Sequence, residues 1–319
     1  MPRRTGAGAR RRVVSGHMGQ RLIGVDVGGT KVSVAVLEDG RLSEPTIAPT
    51  NLTSSEALVD QLVAAIRAAG PATAVGIGVP SVIDFATGTA RSSVNIPLQG
   101  VPLRHALTER LGIPTFVDND ATVAALAEAH DDDMRPIADI VVMFTVGTGV
   151  GGGIVIGGRT FRGATGAAPE IGHTIIGAAL EHGAPPADGF PHPASLEHHA
   201  AGRALDRLGL ARGIGDGHAV VAAARIGDSE ALDAIRILGE ALGVGIANAI
   251  NTFDPDLVVV GGGVSTAGEL LLRPARESAR RFVVNGVGTR TEIRLARYGP
   301  QAGVRGATLL AGQELELGR

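Results

Sequence analysis

The sequence predicts an α/β protein of two related lobes, with mixed sheets flanked by helices, and three observations carry that prediction. Its 319 residues exceed the roughly 250 to 300 at which a single hydrophobic core stops growing. Apolar runs of strand length alternate with segments whose apolar residues recur at helical spacing. A unit of strand, glycine turn and strand occurs twice, first at Leu22–Leu37 and again at Asp139–Phe161.

The elements follow in order from Arg21. LIGVDVGGTKVSVAVLEDGRL reads as a buried strand, a glycine turn and an alternating strand from Val32 to Leu37, with a turn at Asp39-Gly40. A helix runs from Ser54 or Ser55 to Ala69, with Glu56 in its first turn and Leu58, Leu62 and Ile66 on one face. The strand AVGIGVPSVID leads into a Gly- and Pro-rich loop past Asn95-Ile96-Pro97. A short helix then precedes the strand IPTFVDND, which stops at Asp118 to Asp120, where a helix begins with acidic and amide groups at its N-terminus. In the second half, DIVVMFTVGTGVGGGIVIGGRTF repeats the strand-turn-strand unit. Helices over about Ala200–Leu208 and Ser229–Thr252 follow, then a buried strand at Leu257–Ser265 and a last helix at about Gly306–Leu315. The domain expectation is a disordered basic tail at 1–20, an N-terminal lobe at 21–120 with the helix at about 301–319 packing back on it, and a C-terminal lobe at 121–300.

Composition narrows the function classes. Hydrophobic residues make up 44% and charged residues 19% of the chain, and the formal net charge is −3, so a packed core is expected without a basic field for nucleic acid or an anionic membrane. The absence of cysteine excludes disulfides, thiolate nucleophiles and cysteine-based zinc or iron–sulfur sites. No apolar run reaches the roughly 18 residues of a membrane span, and the arginine-containing start lacks the apolar stretch of a signal peptide. A cytoplasmic protein acting on small molecules is expected, with no nucleic-acid or membrane partner.

Three glycine turns sit at strand ends: Asp26 to Lys31 (DVGGTK), Gly147 to Gly153 (GTGVGGG) and Gly261 to Gly263. Glycine lets backbone N–H groups approach phosphate oxygens with no Cβ in the way, although each turn taken alone is ordinary hairpin chemistry. The second turn also satisfies GxGxxG. It runs into the apolar Ile154-Val155-Ile156 instead of opening a helix, which argues against a dinucleotide-binding fold. Phosphate would then be held by paired turns from two lobes. Asp26, at the end of a buried strand, needs a cation or donors, and Mg2+ with its water shell would supply one; the plain alternative is a cap on the turn. Asp120, at a strand-to-helix junction, is either a helix cap or a general base that takes a hydroxyl proton during phosphoryl transfer.

GVDVGGTKVSVAV from Gly24, VDNDATVAALAEA from Val117, GTGVGGGIVIGG from Gly147, PEIGH from Pro169 and FDPDLVVVGGGV from Phe253 stand in the order in which they occur in the ROK family of bacterial sugar kinases and repressors. The chain resembles that family from about Leu22 to its last helix, and its glucokinase members most. The resemblance implies the two-lobed actin-like ATPase (ribonuclease H-like) fold and an ATP- and Mg2+-dependent transfer to the 6-hydroxyl of glucose, in a homodimer. It implies that Gly28, Gly29, Thr30 and Lys31, with Gly147, Thr148 and Gly149, hold the ATP phosphates, and that Gly261, Gly262 and Gly263 lie near the adenosine. By the same resemblance Asp26 serves Mg2+ through water, Asp120 is the base, and Asn95, Asn119, Asp120, Glu170, His173 and Glu197 contact the sugar. Closure of the lobes over the sugar is expected, about a hinge near Asn119 to Thr122. Taken singly, Asn95 would organise a turn, Glu170 and His173 would form a surface pair, and Glu197 would be a solvated helix residue.

The chain departs from the family where most members carry a cysteine-rich zinc segment. Alignment on Leu196-Glu197 puts Asp188, Phe190 and Ser195 at the three thiolate positions, so no structural zinc is expected; His173, His182, Asp188 and His192 are the residues from which one would have to be rebuilt. The alternatives are a kinase for another hexose or an N-acetylhexosamine, polyphosphate as the donor, and a sugar-binding protein of weak catalysis. A repressor is not expected, since about twenty residues precede the first glycine motif.

Overall fold

The computed structural model describes residues 20–93, 95–184, 186 and 189–318. The tail expected at 1–20, Gln20 apart, lies outside the described residues, as does Asp188.

The first sheet grows from β1 (Leu22–Val27), whose apolar run is buried on both faces, and from β2 (Lys31–Glu38), which returns antiparallel beside it. The turn between them is closed by the Gly28 N–H donating to the Lys31 carbonyl at 2.8 Å. Short strands β3 (Arg41–Leu42) and β4 (Thr46–Pro49) pair with β2. Helix α1 (Ser55–Ala68) starts where the Ser54 hydroxyl accepts from the Ala57 N–H, and it buries Leu58, Leu62 and Ile66. Strand β5 (Ala74–Val79) lies parallel to β1. A hairpin of β6 (Ser81–Asp84) and β7 (Thr89–Ser93), then α2 (Leu103–Leu111), lead to β8 (Thr115–Asn119), parallel to β5, and to α3 (Asp120–Glu128). The strand order is β3-β2-β1-β5-β8, with β4 on β2.

The second sheet repeats this plan. Strand β9 (Ile140–Val146) pairs antiparallel with β10 (Val150–Ile156), which carries β11 (Arg159–Thr160). Helices α4 (Leu196–Ala200), α5 (Gly202–Ala211), α6 (Gly217–Arg225) and α7 (Ser229–Phe253) cover it, and β12 (Leu257–Gly261) runs parallel to β9. Helix α8 (Glu269–Phe282), β13 (Glu292–Leu295) and α9 (Ala302–Glu316) complete the chain, in the sheet order β11-β10-β9-β12-β13. In both sheets an antiparallel hairpin flanks parallel strands. No helix among the described residues is long and apolar enough to cross a membrane.

Several expectations are corrected. The loop expected after Asp84 is a hairpin turning at Thr87-Gly88, where Gly88 has φ +70. The strand expected to reach Ser265 ends at Gly261 and passes into a short 3-10 helix. The helix expected from Ala200 starts at Gly202, after the separate α4, and the last helix starts four residues earlier than expected, at Ala302. Helix α8 was not anticipated because Pro274 interrupts it. Proline is costly inside a helix, but here its ring lies against α7 at Gly239, where a Cβ would stand 2.7 Å from the proline Cγ.

Helices α3 and α9 lie between the two sheets, in a core of Phe116, Val123, Leu126, Met143, Val259, Leu309 and Leu310. The approach is backbone to backbone. A Cβ on Gly76 of β5 would stand 1.8 Å from the Ala307 carbonyl oxygen of α9, and one on Gly306 of α9 would stand 1.6 Å from the Val123 carbonyl oxygen of α3. No rotamer change relieves a clash with a main-chain carbonyl, so overpacking there shifts a whole helix. Gly306→Ala is expected to destabilise the protein by at least about 2 kcal/mol in urea unfolding, while Gly177→Ala, with open space around its Cβ position, stays within about 0.5 kcal/mol of the wild type.

Candidate active site

Two parallel strands of each sheet end at one cleft: β5 at Val79 and β8 at Asn119, β9 at Val146 and β12 at Gly261. Strand C-termini in open α/β sheets are where ligands bind. The cleft holds a cavity of about 390 Å3, and the six residues expected at a sugar, Asn95, Asn119, Asp120, Glu170, His173 and Glu197, all line it together with Gly147, Gly149 and Gly262. Asp26, Gly28, Gly29, Thr30, Lys31, Thr148, Gly261 and Gly263 are not in its lining. Two of them lie close by: a Cβ on Gly29 would stand 3.6 Å from the Asn95 carbonyl oxygen, and Asp26 is near enough to Asp120 for their charges to interact.

Each group is set by the element that carries it. Asn119 caps α3, its amide oxygen accepting from the Thr122 N–H at 3.1 Å while its amide nitrogen donates to the Ser81 carbonyl. That fixes Asp120 in the first turn of α3. Asp120 Oδ1 accepts from the Ala121 N–H at 2.8 Å, and the protein around the carboxyl pushes its pKa up by desolvation. Desolvation also raises Glu170, with Glu197 and Asp120 adding to the shift and His173 opposing it. The Glu170 and His173 side chains stand 3.9 Å apart. Glu197 accepts the Val150 N–H at 2.8 Å, and its carboxylate occupies the space a Cβ on Gly149 would take, so a side chain there would displace Glu197. Glu197 therefore ties α4 to the second glycine turn as well as lining the cavity.

The turns of the second sheet interlock. The Gly202 N–H at the start of α5 donates to the Gly147 carbonyl at 2.7 Å. Gly262, at φ +86, packs where a Cβ would fall 2.4 Å from the Val146 carbonyl oxygen. In the first sheet Asp26 ends beside α9, and the missing side chain of Gly303 makes room for its carboxyl group. Burial, then the charge of Asp120, push Asp26 up to about 6 against the opposing effect of Lys31.

A buried ion cluster anchors the start of the segment that enters the cleft. Arg162, after β11, donates through Nε to Asp118 at 2.7 Å and reaches Glu314 of α9 at 3.3 Å, with its guanidinium 3.5 Å from the Phe85 ring centre. Burial pushes Asp118 up while Arg162 opposes it. The segment leaving Arg162 carries Pro169, Glu170 and His173 into the cavity. Ser195, aligned with a family thiolate, caps α4 by accepting from the His198 N–H. Among the described residues no group of three or more His, Asp or Glu residues is placed to hold a metal ion.

Sequence reasoning missed Ser81, Val82 and Ser92 of the β6–β7 hairpin, and Thr145 and Pro169, all of which line the cavity. The Thr-Gly turn between two β-rich stretches was the available signal for the hairpin; nothing local marks Thr145 or Pro169 as facing a cleft.

The sequence pattern of the ROK family matches residues 22–314. The chain belongs to the ROK family. The glucokinase of Streptomyces coelicolor is 34% identical over 91% of this chain and 96% of its own length. A ROK-family glucokinase of Streptomyces griseus, solved with glucose and AMPPNP, is similar with TM-score 0.75 and 34% identity, covering 92% of this chain and 99% of that one. A ROK hexokinase of Thermus thermophilus gives TM-score 0.75 and 34% identity over 93% and 99% of the two chains. The two-sheet architecture of this ROK protein is the actin-like ATPase fold.

Because the folded-state pKa of Asp26 lies above its ordinary 3.8, at about 6, folding favours its protonated form. Its stability contribution is fully present below about pH 4 and is lost as pH rises through about 6. In the ligand-free protein, Asp26→Asn is expected to gain roughly 2 kcal/mol on the wild type between pH 4.5 and 7.5, read from denaturant unfolding at both pH values; a difference independent of pH would contradict this.

Proposed function

We propose that this ROK protein is an ATP-dependent sugar kinase that phosphorylates the 6-hydroxyl of glucose. The observation that carries the reading is the convergence of Asp120 with Asn95, Asn119, Glu170, His173 and Glu197 on one cavity, beside glycine turns contributed by β9 and β12. The glucokinases at 34% identity over nearly the full length support the substrate.

Phosphoryl transfer asks the protein to align a hydroxyl with the γ-phosphate, neutralise charge and exclude water. Asp120 is suited to the first task. Its Oδ1 is anchored by the Ala121 N–H, which orients the carboxylate, and a pKa raised by desolvation makes it a stronger base than an ordinary carboxylate. The hydroxyl proton passes to Asp120 as the sugar oxygen bonds to the γ-phosphorus and the bond to the ADP oxygen breaks. Glu170, Glu197 and the amides of Asn95 and Asn119 offer acceptors and donors to the other hydroxyls. The turns at Gly28–Lys31 and Gly147–Gly149 hold the phosphates and that at Gly261–Gly263 lies by the adenosine. The N-terminal lobe spans about 21–120 with α9, the C-terminal lobe 121–300, and closure turns about Asn119 to Thr122.

Mg2+ fits the first turn: Asp26 is a hard oxygen donor whose raised pKa, about 6, reflects burial beside a second carboxylate, and Mg2+ prefers one or two carboxylates plus water and phosphate oxygens. Asp26 would hold it through water, and the ion would neutralise charge on the phosphates.

Release of ADP from Mg-ATP across hexoses and N-acetylhexosamines, with wild type and Asp120→Asn side by side, tests the assignment. Glucose is expected to give the highest kcat/KM, and the variant to lose at least roughly 100-fold in kcat, the low end of general-base effects. A variant that retained wild-type kcat would remove Asp120 from the chemistry; a preference for an N-acetylhexosamine would change the substrate.

A further inference from the structure

We propose that Phe190 is a positioning residue for the sugar site, holding the imidazole of His173 in its cavity-lining place. The inference rests on the kinase reading above.

His173 is held weakly by its own element. It ends a three-residue 3-10 turn, Ile171–His173, and its side chain is 37% exposed. The polar group beside it is the Glu170 carboxylate at 3.9 Å, itself half exposed, which is beyond hydrogen-bonding reach. A ring in that setting keeps rotamer freedom that a bound sugar has to remove. The second contact comes from outside the turn. Phe190 meets the His173 ring edge to face, with centroids 5.7 Å apart and planes at 88°, within the range favoured by aromatic pairs.

Phe190 is 83% exposed. An apolar ring that open contributes little to the core, so its packing does not account for its placement. The surrounding backbone does. The loop carrying it is pinned at its base by the bridge between Ile175 and Ser195, by the Ile176 N–H donating to the Ala194 carbonyl at 2.9 Å and by the Leu196 N–H donating to the Thr174 carbonyl at 2.8 Å. His192 braces it from inside: its Nδ1 accepts from the Ala194 N–H at 3.0 Å, which leaves the proton on Nε2, donated to the Pro186 carbonyl at 3.0 Å. The same base delivers Ser195 as the cap of α4, one residue before Leu196 and two before Glu197. One loop thus orients two cavity groups, Glu197 through its base and His173 through Phe190.

An aromatic pair of this kind corresponds to about two- to tenfold in an equilibrium constant. The experiment is steady-state kinetics for glucose with the wild type, Phe190→Ala, Phe190→Tyr and His192→Ala, with thermal unfolding of each and the His173 ring resonances followed by NMR in the ligand-free protein. Phe190→Ala is expected to keep the wild-type Tm, shift the His173 resonances, raise the glucose KM about two- to tenfold and change kcat less than twofold. Phe190→Tyr, which keeps the ring, is expected to restore KM, and His192→Ala to raise it. If the wild type turns over glucose and Phe190→Ala has an unchanged KM, or if Phe190→Tyr is as impaired as Phe190→Ala, the inference is overturned while the kinase reading stands. If the wild type turns over no sugar, the kinase reading fails and takes this inference with it.

Discussion

The close approach of α9 to β1 and β5, and of α3 to α9, is the constraint on which the cleft depends. Main-chain atoms of different elements come together at Gly24, Gly76 and Gly306 with no room for a single carbon between them. Contacts this close leave little freedom for the helices to slide, because any change of register drives carbonyl oxygens into backbone. Helix α3 is thereby seated against α9, which is itself seated on the first sheet, and this sets the place of Asp120 in its first turn. Gly303, on the same face of α9, makes room for Asp26, so one helix places both carboxylates.

The electrostatics follow from that packing. Asp26, Asp120 and Glu170 are all pushed up by desolvation, and the charge of Asp120 raises Asp26 and Glu170 further. Carboxylates gathered in a cleft with few protein cations are costly in the empty protein. In the proposed reaction they would become favourable as sugar hydroxyls donate to them and a divalent ion accompanies the nucleotide. Arg162 acts elsewhere, between Asp118 and Glu314, where it ties the segment carrying Glu170 and His173 to the strand that leads to Asp120. Loss of stability in the empty site and readiness for ligand are two aspects of the same arrangement.

Much of this was legible in the chain because its strongest signals are local. Buried strands ending in glycine turns, the antiparallel continuation after Gly147–Gly153 and the cap at Asn119 each depend on residues a few positions apart. The hairpin of β6 and β7 was harder to see, since its turn lies in a stretch whose threonines and serines also suit a loop. Helix α8 was hidden by Pro274, whose tolerance depends on Gly239 some 35 residues away, a tertiary fact. The dual engagement of Glu197, bound to Val150 while lining the cavity, and the service of Phe190 to His173 depend on chain segments that meet only in the folded protein. Cysteine-free sequence around residues 177–194 told what the loop lacks, but not that Ser195 and His192 would organise it through capping and backbone bonds.

The central claim is that the cleft aligns the sugar's 6-hydroxyl with the γ-phosphate under the carboxylate of Asp120. The most direct test is 31P NMR of the product formed from glucose and Mg-ATP. The account predicts a phosphomonoester coupled to the two protons of C6, growing as the γ-phosphate signal of ATP decays. A phosphate coupled to the single proton of C1, or inorganic phosphate alone, would contradict it.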